Sequence, residues 1–174
     1  MKKLFLIRHA KSDWGNANTK DYERPLNARG RHDASRMGAM MQQRGWQADA
    51  WLASSAKRAK ETALLMGKSL AYPEAAICFR DAMYLASADT LLSEIAQVES
   101  SVQNLLVVAH NPGMGDLIHQ LAGSYVGDTP TCTVAAFDLK IDHWFELMVN
   151  TRVATLIDYQ TPKKLARLSD ETSA

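Results

Sequence analysis

The chain has 174 residues, of which 47% are hydrophobic and 22% charged, and its formal net charge is +1. This length suits one packed domain and is short for two, and the composition excludes a disordered chain. A nearly neutral chain gives no sign of nucleic-acid binding, so any affinity for anions must come from a local cluster. We expect a cytoplasmic protein without a membrane segment, because no apolar run approaches a membrane span and the two cysteines form no CxxC pair. The oligomeric state stays open.

The first half of the sequence alternates between strand-like and helix-like patterns. A short apolar run at residues 3–7 predicts a buried strand, and the polar stretch 10–26 predicts a long loop of a kind that is often functional. Asn27 is expected to cap the helix that follows. The pattern predicts helices at 28–44 and 56–70 and short strands at 51–53 and 77–79.

The second half of the sequence also begins with alternating helix and strand patterns, and its last third predicts strands only. Ser87 is expected to cap a helix, the apolar run 105–109 is a clear buried strand, and Pro112 suits the first turn of another helix. The remaining strands are expected at 133–139, 144–149 and 154–159, with a hairpin turn near Asp142 and His143. We therefore predict one α/β domain over residues 1–160, with a mixed, mostly parallel central sheet flanked by helices, and a fraying polar tail over 161–174.

Two of the predicted strands run directly into side chains that suit phosphate chemistry. The first ends at Arg8 and His9, and the strand 105–109 is followed by His110. In an open α/β sheet, ligands bind at the carboxyl ends of strands, near a point where the strand order reverses. Both histidines would meet in one crevice if these two strands are parallel neighbours.

A third segment leads to the same edge of the sheet. Arg58 would lie in the first turn of the helix after the second strand, where a cation opposes the helix dipole. That position makes sense if Arg58 binds an anion at the helix N-terminus. Together with Arg8, His9 and His110 it would form a site for a tetrahedral dianion. Phosphoryl transfer needs mainly in-line positioning and charge stabilisation, which this set provides without a metal or cofactor.

Several segments resemble the signature motifs of the histidine phosphatase superfamily, which also contains the cofactor-dependent phosphoglycerate mutases. The resemblance spans roughly residues 3–160. The sequence departs from the family pattern at Ala56, where proline is common. The segments are Arg8-His9-Ala10-Lys11-Ser12-Asp13-Trp14, Arg24-Pro25-Leu26 with Gly30 and Ala34, Ser54-Ser55-Ala56-Lys57-Arg58-Ala59 with Thr62 and Ala63, and Val107-Val108-Ala109-His110-Asn111.

Within that superfamily, the short chain and its motifs look most like the SixA-type phosphohistidine phosphatases. The resemblance implies a phosphoglycerate mutase-like fold and a nucleophile, His9, that becomes phosphohistidine. It implies a phosphate pocket made by Arg8, Arg58 and His110, with Arg24 at the rim near the substrate. The implied partner is a phosphorylated substrate, for instance a histidine-phosphorylated signalling protein.

The leaving group depends on whether the site holds a general acid. An alkoxide leaves poorly without one, whereas the imidazole of phosphohistidine needs less help. The candidate acid is Asp81, but nearby arginines would push the pKa of its carboxyl down, which favours the alternative of a loop carboxylate paired to a pocket arginine. Three functions follow: a phosphohistidine phosphatase, a small-molecule phosphomonoesterase of the same superfamily, and a non-catalytic module that binds phosphate or phosphoproteins.

Overall fold

The computed structural model describes residues 1–15 and 17–172, and the side chains of residues 1–15 and 17–167. Within these residues, six strands form one mixed sheet in the order β3-β2-β4-β1-β5-β6. The strands β3, β2, β4 and β1 are parallel to one another, while β5 is antiparallel to β1 and β6 is antiparallel to β5. The strands are β1 (Lys2–Arg8), β2 (Ala50–Ser54), β3 (Ile77–Arg80), β4 (Asn104–Ala109), β5 (Val134–Leu139) and β6 (Ala154–Gln160).

Helices cover both faces of the sheet and divide the core into two clusters. Leu4 and Leu6 of β1 belong to one of these clusters, whereas Phe5 and Ile7 belong to the cluster on the opposite face of the sheet. This alternation explains why a strand buried on both faces is a continuous apolar run. One face carries α1 (Ala28–Gln43) and α2 (Lys57–Ser69), and the other carries α3 (Ala88–Ala96), α4 (Gly113–Ala122) and α5 (Glu146–Val149).

The predicted helix starts are confirmed. The Asn27 side chain accepts a hydrogen bond from Gly30 N at 2.8 Å, and the Ser87 hydroxyl oxygen accepts one from Thr90 N at 3.2 Å. Each bond satisfies an amide that has no partner inside the helix. Pro112 directly precedes α4, where its missing N–H costs nothing.

The prediction of a strand at 144–149 is wrong, since residues of this segment form the short helix α5. Trp144 and Leu147 are both buried, and their spacing of three residues places them on one helical face. The hairpin turn expected at Asp142 and His143 is wrong for the same reason. Their backbone amides instead donate to the Glu146 side chain, at 3.0 and 2.7 Å, and so begin the helix.

The tail expected to fray after Thr161 is helical as far as it is described. Helix α6 (Pro162–Thr172) begins where Thr161 Oγ1 accepts a bond from Lys164 N at 3.2 Å, and Leu165 packs against the core cluster beside α1. A threonine cap followed by proline in the first turn is a helix start that the polar composition of this segment obscures. None of the described helices is long and apolar enough to cross a membrane.

Candidate active site

The pairing of β1 with β4 brings the two predicted histidines together. The strands are parallel, with Arg8 opposite Ala109, so His9 and His110 leave the sheet at the same level. The His9 backbone amide donates to Ala109 O at 3.0 Å, and the two imidazole centroids are 4.9 Å apart. The crevice expected from two strand ends is therefore present at the carboxyl edge of the parallel strands.

A cleft of about 330 Å³ opens above these strand ends. Five of the six predicted site residues line it, namely Arg8, His9, Arg24, Arg58 and His110. All but Arg8 are buried. The cleft is completed by Lys11, Ser12, Trp14, Asp21, Leu85, Asn111 and Thr131.

Backbone contacts settle the tautomer of His9. Its Nδ1 lies 2.7 Å from the carbonyl oxygen of Ala10, which can only accept, so the ring proton is on Nδ1. The lone pair of the neutral ring is then on Nε2, which accepts a hydrogen bond from Arg58 Nε at 3.3 Å. A neutral imidazole with Nε2 directed into an anion pocket has the form required of a nucleophile.

His110 is oriented by the strand on its other side. Its Nε2 is 2.8 Å from the Ser54 hydroxyl oxygen, which accepts a bond from Ala56 N at 3.3 Å and is free to donate its own hydrogen to the ring. If the hydroxyl donates, the proton of His110 lies on Nδ1, a buried atom with no hydrogen-bond partner among the described residues. In that tautomer Nδ1 is a donor without a partner.

Both histidines are held neutral. Burial, followed by the neighbouring His110, lowers the pKa of His9 from 6.5 to about 3. Burial, followed by the Arg58 guanidinium, lowers the pKa of His110 to about 3 as well. Removing an imidazolium from water and placing it beside arginines disfavours the charged form. The cleft without a ligand therefore combines neutral imidazoles with positive guanidiniums.

Arg58 occupies the position predicted for it, in the first turn of α2, and it is buried. The anion expected beside it is partly supplied by the protein. Arg58 Nη1 donates to the Asp21 carbonyl oxygen at 2.7 Å, and Nη2 donates to the Asp21 carboxylate at 3.0 Å. Thr62, one turn later, donates to Arg58 O and accepts from Ala10 N, which ties the segment after β1 to this helix.

Other donors in the cleft also lack partners. Arg8 Nη1 donates to Thr129 O at 2.7 Å and Arg24 binds Asp21, but Arg8 Nε and Arg24 Nη1 are buried without a partner among the described residues. Unsatisfied buried donors are costly, and several in one cleft indicate a ligand that they bind. With His110 Nδ1 they form a set of donors suited to the oxygens of a phosphoryl group.

Asp81 is the predicted site residue that the structure does not bring into the cleft. It is fully exposed, accepts a hydrogen bond from Tyr22 Oη at 3.2 Å and another from the Ser55 hydroxyl, and these bonds, that of Ser55 first, lower the pKa of its carboxyl. A general acid requires a raised pKa, so neither placement nor electrostatics supports that role. Among the described residues, no group of three or more His, Cys, Asp or Glu side chains could hold a metal ion.

Sequence reasoning missed Asp21, which is the central carboxylate of the cleft. It contacts Arg24 and Arg58 and accepts a hydrogen bond from Tyr84 Oη at 2.6 Å. The available signal was weak, since an aspartate three residues before an arginine is common on protein surfaces. Its two other partners come from distant segments that the local pattern does not connect.

Comparisons with known proteins agree with this fold. The sequence model of the histidine phosphatase superfamily, branch 1, matches residues 4–77. An uncharacterized protein of Mycobacterium leprae is 31% identical over 169 residues, which cover 90% of this chain and 100% of that protein. An uncharacterized chloroplast protein of Arabidopsis thaliana is 28% identical over 153 residues, covering 83% of this chain and 70% of that protein.

The chain therefore belongs to the histidine phosphatase superfamily. Among solved structures it is similar to SixA from Agrobacterium tumefaciens, with 27% identity and a TM-score of 0.79 over 92% of this chain and 98% of that one. The protein histidine phosphatase SixA bound to tungstate has the same fold, with 21% identity and a TM-score of 0.79 over 94% and 99% of the two chains. Within the superfamily, the chain is similar to SixA over nearly its whole length.

Proposed function

We propose that this protein hydrolyses phosphohistidine on a partner protein through a covalent intermediate on His9, without a metal or cofactor. The observation that carries the proposal is the neutral His9 ring, whose Nδ1 proton is bound by Ala10 O and whose Nε2 faces the Arg58 side chain. The substrate phosphoryl group would lie among the unpaired donors of Arg8, Arg24 and His110.

In the first step, the Nε2 lone pair of His9 attacks phosphorus. A P–N bond forms to His9 as the P–N bond to the substrate imidazole breaks, and the electron pair of that bond stays on the leaving nitrogen. The imidazole departs neutral if the substrate ring was protonated. The positive charge of the phosphorylated His9 ring is stabilised by its Nδ1–H bond to Ala10 O, which is 2.7 Å long in the free protein.

In the second step, a water molecule attacks the phosphorus of phospho-His9. The new P–O bond replaces the P–N bond, whose electron pair returns to Nε2, and inorganic phosphate leaves with the water oxygen. The protons of the water molecule leave with the phosphate, and neither step consumes an oxidant or a reductant. The arginines and His110 contribute by positioning the phosphoryl group and stabilising its charge.

The carboxylate of the cleft supports phosphohistidine over an alkyl phosphate as the substrate. Asp21 is the only carboxylate among the described residues that line the cleft. It is ion-paired with Arg24 and Arg58, and its pKa is lowered, with the hydrogen bond from Tyr84 as the largest cause acting in that direction. An ionised, paired carboxylate does not protonate an alkoxide, whereas an imidazole leaves without such help.

The experiment combines trapping with a substrate panel. Wild-type protein mixed with labelled phosphoramidate should form an acid-labile, alkali-stable phosphoenzyme in a burst, and His9→Asn should form none. Its matched control is His32→Asn, which removes an exposed histidine on α1 and should behave as wild type. On a phosphohistidine peptide, kcat/KM should exceed that on an alkyl phosphate by about 100-fold or more, the usual value of a missing general acid.

Two other outcomes would point to the alternative functions. Comparable turnover of alkyl phosphates, lost in Asp81→Asn, would identify a small-molecule phosphomonoesterase. Tight binding of phosphate with no turnover of any substrate in the panel would identify a binding module. A His9→Asn variant that still turned over normally would end the proposal that His9 is the nucleophile.

A further inference from the structure

The Asp21 carboxylate connects two of the guanidinium groups of the cleft. Oδ1 accepts a hydrogen bond from Arg24 Nε at 3.0 Å and is ion-paired with Arg24 Nη2 at 2.8 Å, and Oδ2 accepts from Arg58 Nη2 at 3.0 Å. Tyr84 Oη donates to the same Oδ2 at 2.6 Å. One side chain in the loop between β1 and α1 therefore binds two arginines from different segments.

The edge of Arg58 that Asp21 binds is the one that faces away from His9. The Asp21 carbonyl and carboxylate oxygens take Nη1 and Nη2, which form the outer end of the guanidinium. The remaining edge carries Nε–H, and this hydrogen is directed at His9 Nε2, at 3.3 Å between nitrogens. A planar guanidinium held at its outer end has little freedom to rotate, so its inner edge stays directed at the nucleophile.

The charges of the arginines also indicate that Asp21 holds these side chains in place. Arg24 and Arg58 repel each other, and Arg8 adds a third guanidinium to the same cleft. Asp21 is the carboxylate that offsets this repulsion when no phosphoryl group is bound. Without it, the two arginines would separate toward solvent and would have to be brought together again by each substrate molecule.

We propose that Asp21 is a positioning residue, which holds Arg58 by its outer edge and Arg24 beside it so that both are aligned on a phosphoryl group at His9. The proposal deepens the proposed function and rests on it for its kinetic consequences. Asp21 acts through the arginines and not on the reacting atoms. The competing interpretation is that its carboxylate occupies the place of the phosphoryl group and must be displaced by substrate.

The test is Asp21→Asn, which preserves the shape of the side chain and removes its charge. Glu23→Gln is the matched control, because Glu23 is an exposed carboxylate of the same turn that lies outside the cleft lining. We expect kcat on phosphoramidate to fall by about 10- to 100-fold in Asp21→Asn, the scale of a small misplacement of catalytic groups, and to be unchanged in Glu23→Gln. The affinity for inorganic phosphate, measured by calorimetry, should not increase.

The competing interpretation predicts the opposite pattern. If Asp21→Asn binds inorganic phosphate about tenfold more tightly, or if kcat is unchanged, the positioning role is overturned.

A readout that does not need turnover separates this proposal from the proposed function. The Nε–H resonance of Arg58, identified by its loss in Arg58→Lys, should be protected from exchange in the wild type through its bond to His9 Nε2. It should lose protection in Asp21→Asn and keep it in Glu23→Gln. If protection is lost in Asp21→Asn but the wild type shows no phosphatase turnover, the proposed function is rejected and the role of Asp21 is retained. If the resonance is unaffected in Asp21→Asn, the role of Asp21 is rejected.

Discussion

The Nδ1 proton of His9 is bound by the carbonyl oxygen of the next residue, Ala10, so the ring needs no other side chain to fix its tautomer. This arrangement differs from a nucleophile activated by a general base, because Nε2 carries no proton and its lone pair only accepts a hydrogen bond from Arg58 Nε. Burial and the nearby cationic groups keep the ring neutral by lowering its pKa to about 3. At the scale of single residues, the site is therefore ready for attack across the ordinary pH range.

We expect His9 to stay neutral, with its proton on Nδ1, when phosphate-free protein is titrated from pH 7 to pH 5. The reason is the pKa of about 3, well below the ordinary 6.5. Long-range ¹H–¹⁵N NMR spectra of the histidine rings report both the charge and the tautomer. Added phosphate should raise the pKa of His9 and His110, because a dianion favours their protonated forms. A midpoint near pH 6.5 for His9 without phosphate would contradict this assignment.

At the scale of secondary-structure elements, the cleft depends on how closely α1 approaches the segment after β1. Gly30 lies in α1 against the backbone of Lys11, and a Cβ added to Gly30 would come to 2.1 Å from Lys11 O. Asn27 N donates to that same oxygen at 3.0 Å. The absence of a side chain at Gly30 therefore allows the segment that carries Lys11 and Ser12 to form one wall of the cleft.

Gly30→Ala should destabilise the fold by about 1–3 kcal/mol, the usual cost of overpacking, and should lower phosphatase activity by displacing Lys11. Chemical denaturation measures the first effect and phosphoramidate turnover the second. Gly67→Ala in α2 is the matched control, since the nearest atom to its new Cβ would be 3.5 Å away. That variant should be neutral or more stable by up to about 1 kcal/mol. A Gly30→Ala variant as stable as the wild type would show that the close contact between Gly30 and the Lys11 backbone is not needed for the fold.

At the scale of the whole molecule, two buried histidines make stability depend on pH. In the folded protein both pKa values are about 3, and in the unfolded chain they return to about 6.5. Above pH 6.5 neither state is protonated at these groups, so they add no pH dependence. As the pH falls below 6.5, the unfolded chain binds protons that the folded chain does not, and the free energy of unfolding decreases.

The expected slope is up to about 1.4 kcal/mol per pH unit for each histidine between about pH 6 and about pH 5, a window above the ordinary pKa values of the carboxylates. Urea denaturation in a phosphate-free buffer measures it. His110→Gln should reduce the slope by removing one of the two groups. The exposed His32→Asn variant should leave it unchanged. An equal slope in His110→Gln and wild type would show that His110 is protonated in the folded state.

Local patterns in the sequence predicted most of the sheet and the main cleft residues. Continuous apolar runs mark β1 and β4, because strands buried on both faces carry no polar alternation. Parallel pairing then places the residues after each run, His9 and His110, at one edge. Arg58 could be predicted as well, because its place follows from the start of a helix next to a strand end.

Only the tertiary structure decided which carboxylate enters the cleft. Asp81 follows a strand and is the carboxylate that the sequence suggests, yet it lies outside the cleft, whereas Asp21, whose side chain is 44% exposed, lines the cleft between two arginines. The path of the loop that carries Asp21 depends on contacts with distant segments, such as Leu26 N with the Glu61 side chain at 2.8 Å. Local sequence determines strands and helix starts through short-range geometry, but long-range contacts of this kind determine where a polar loop lies.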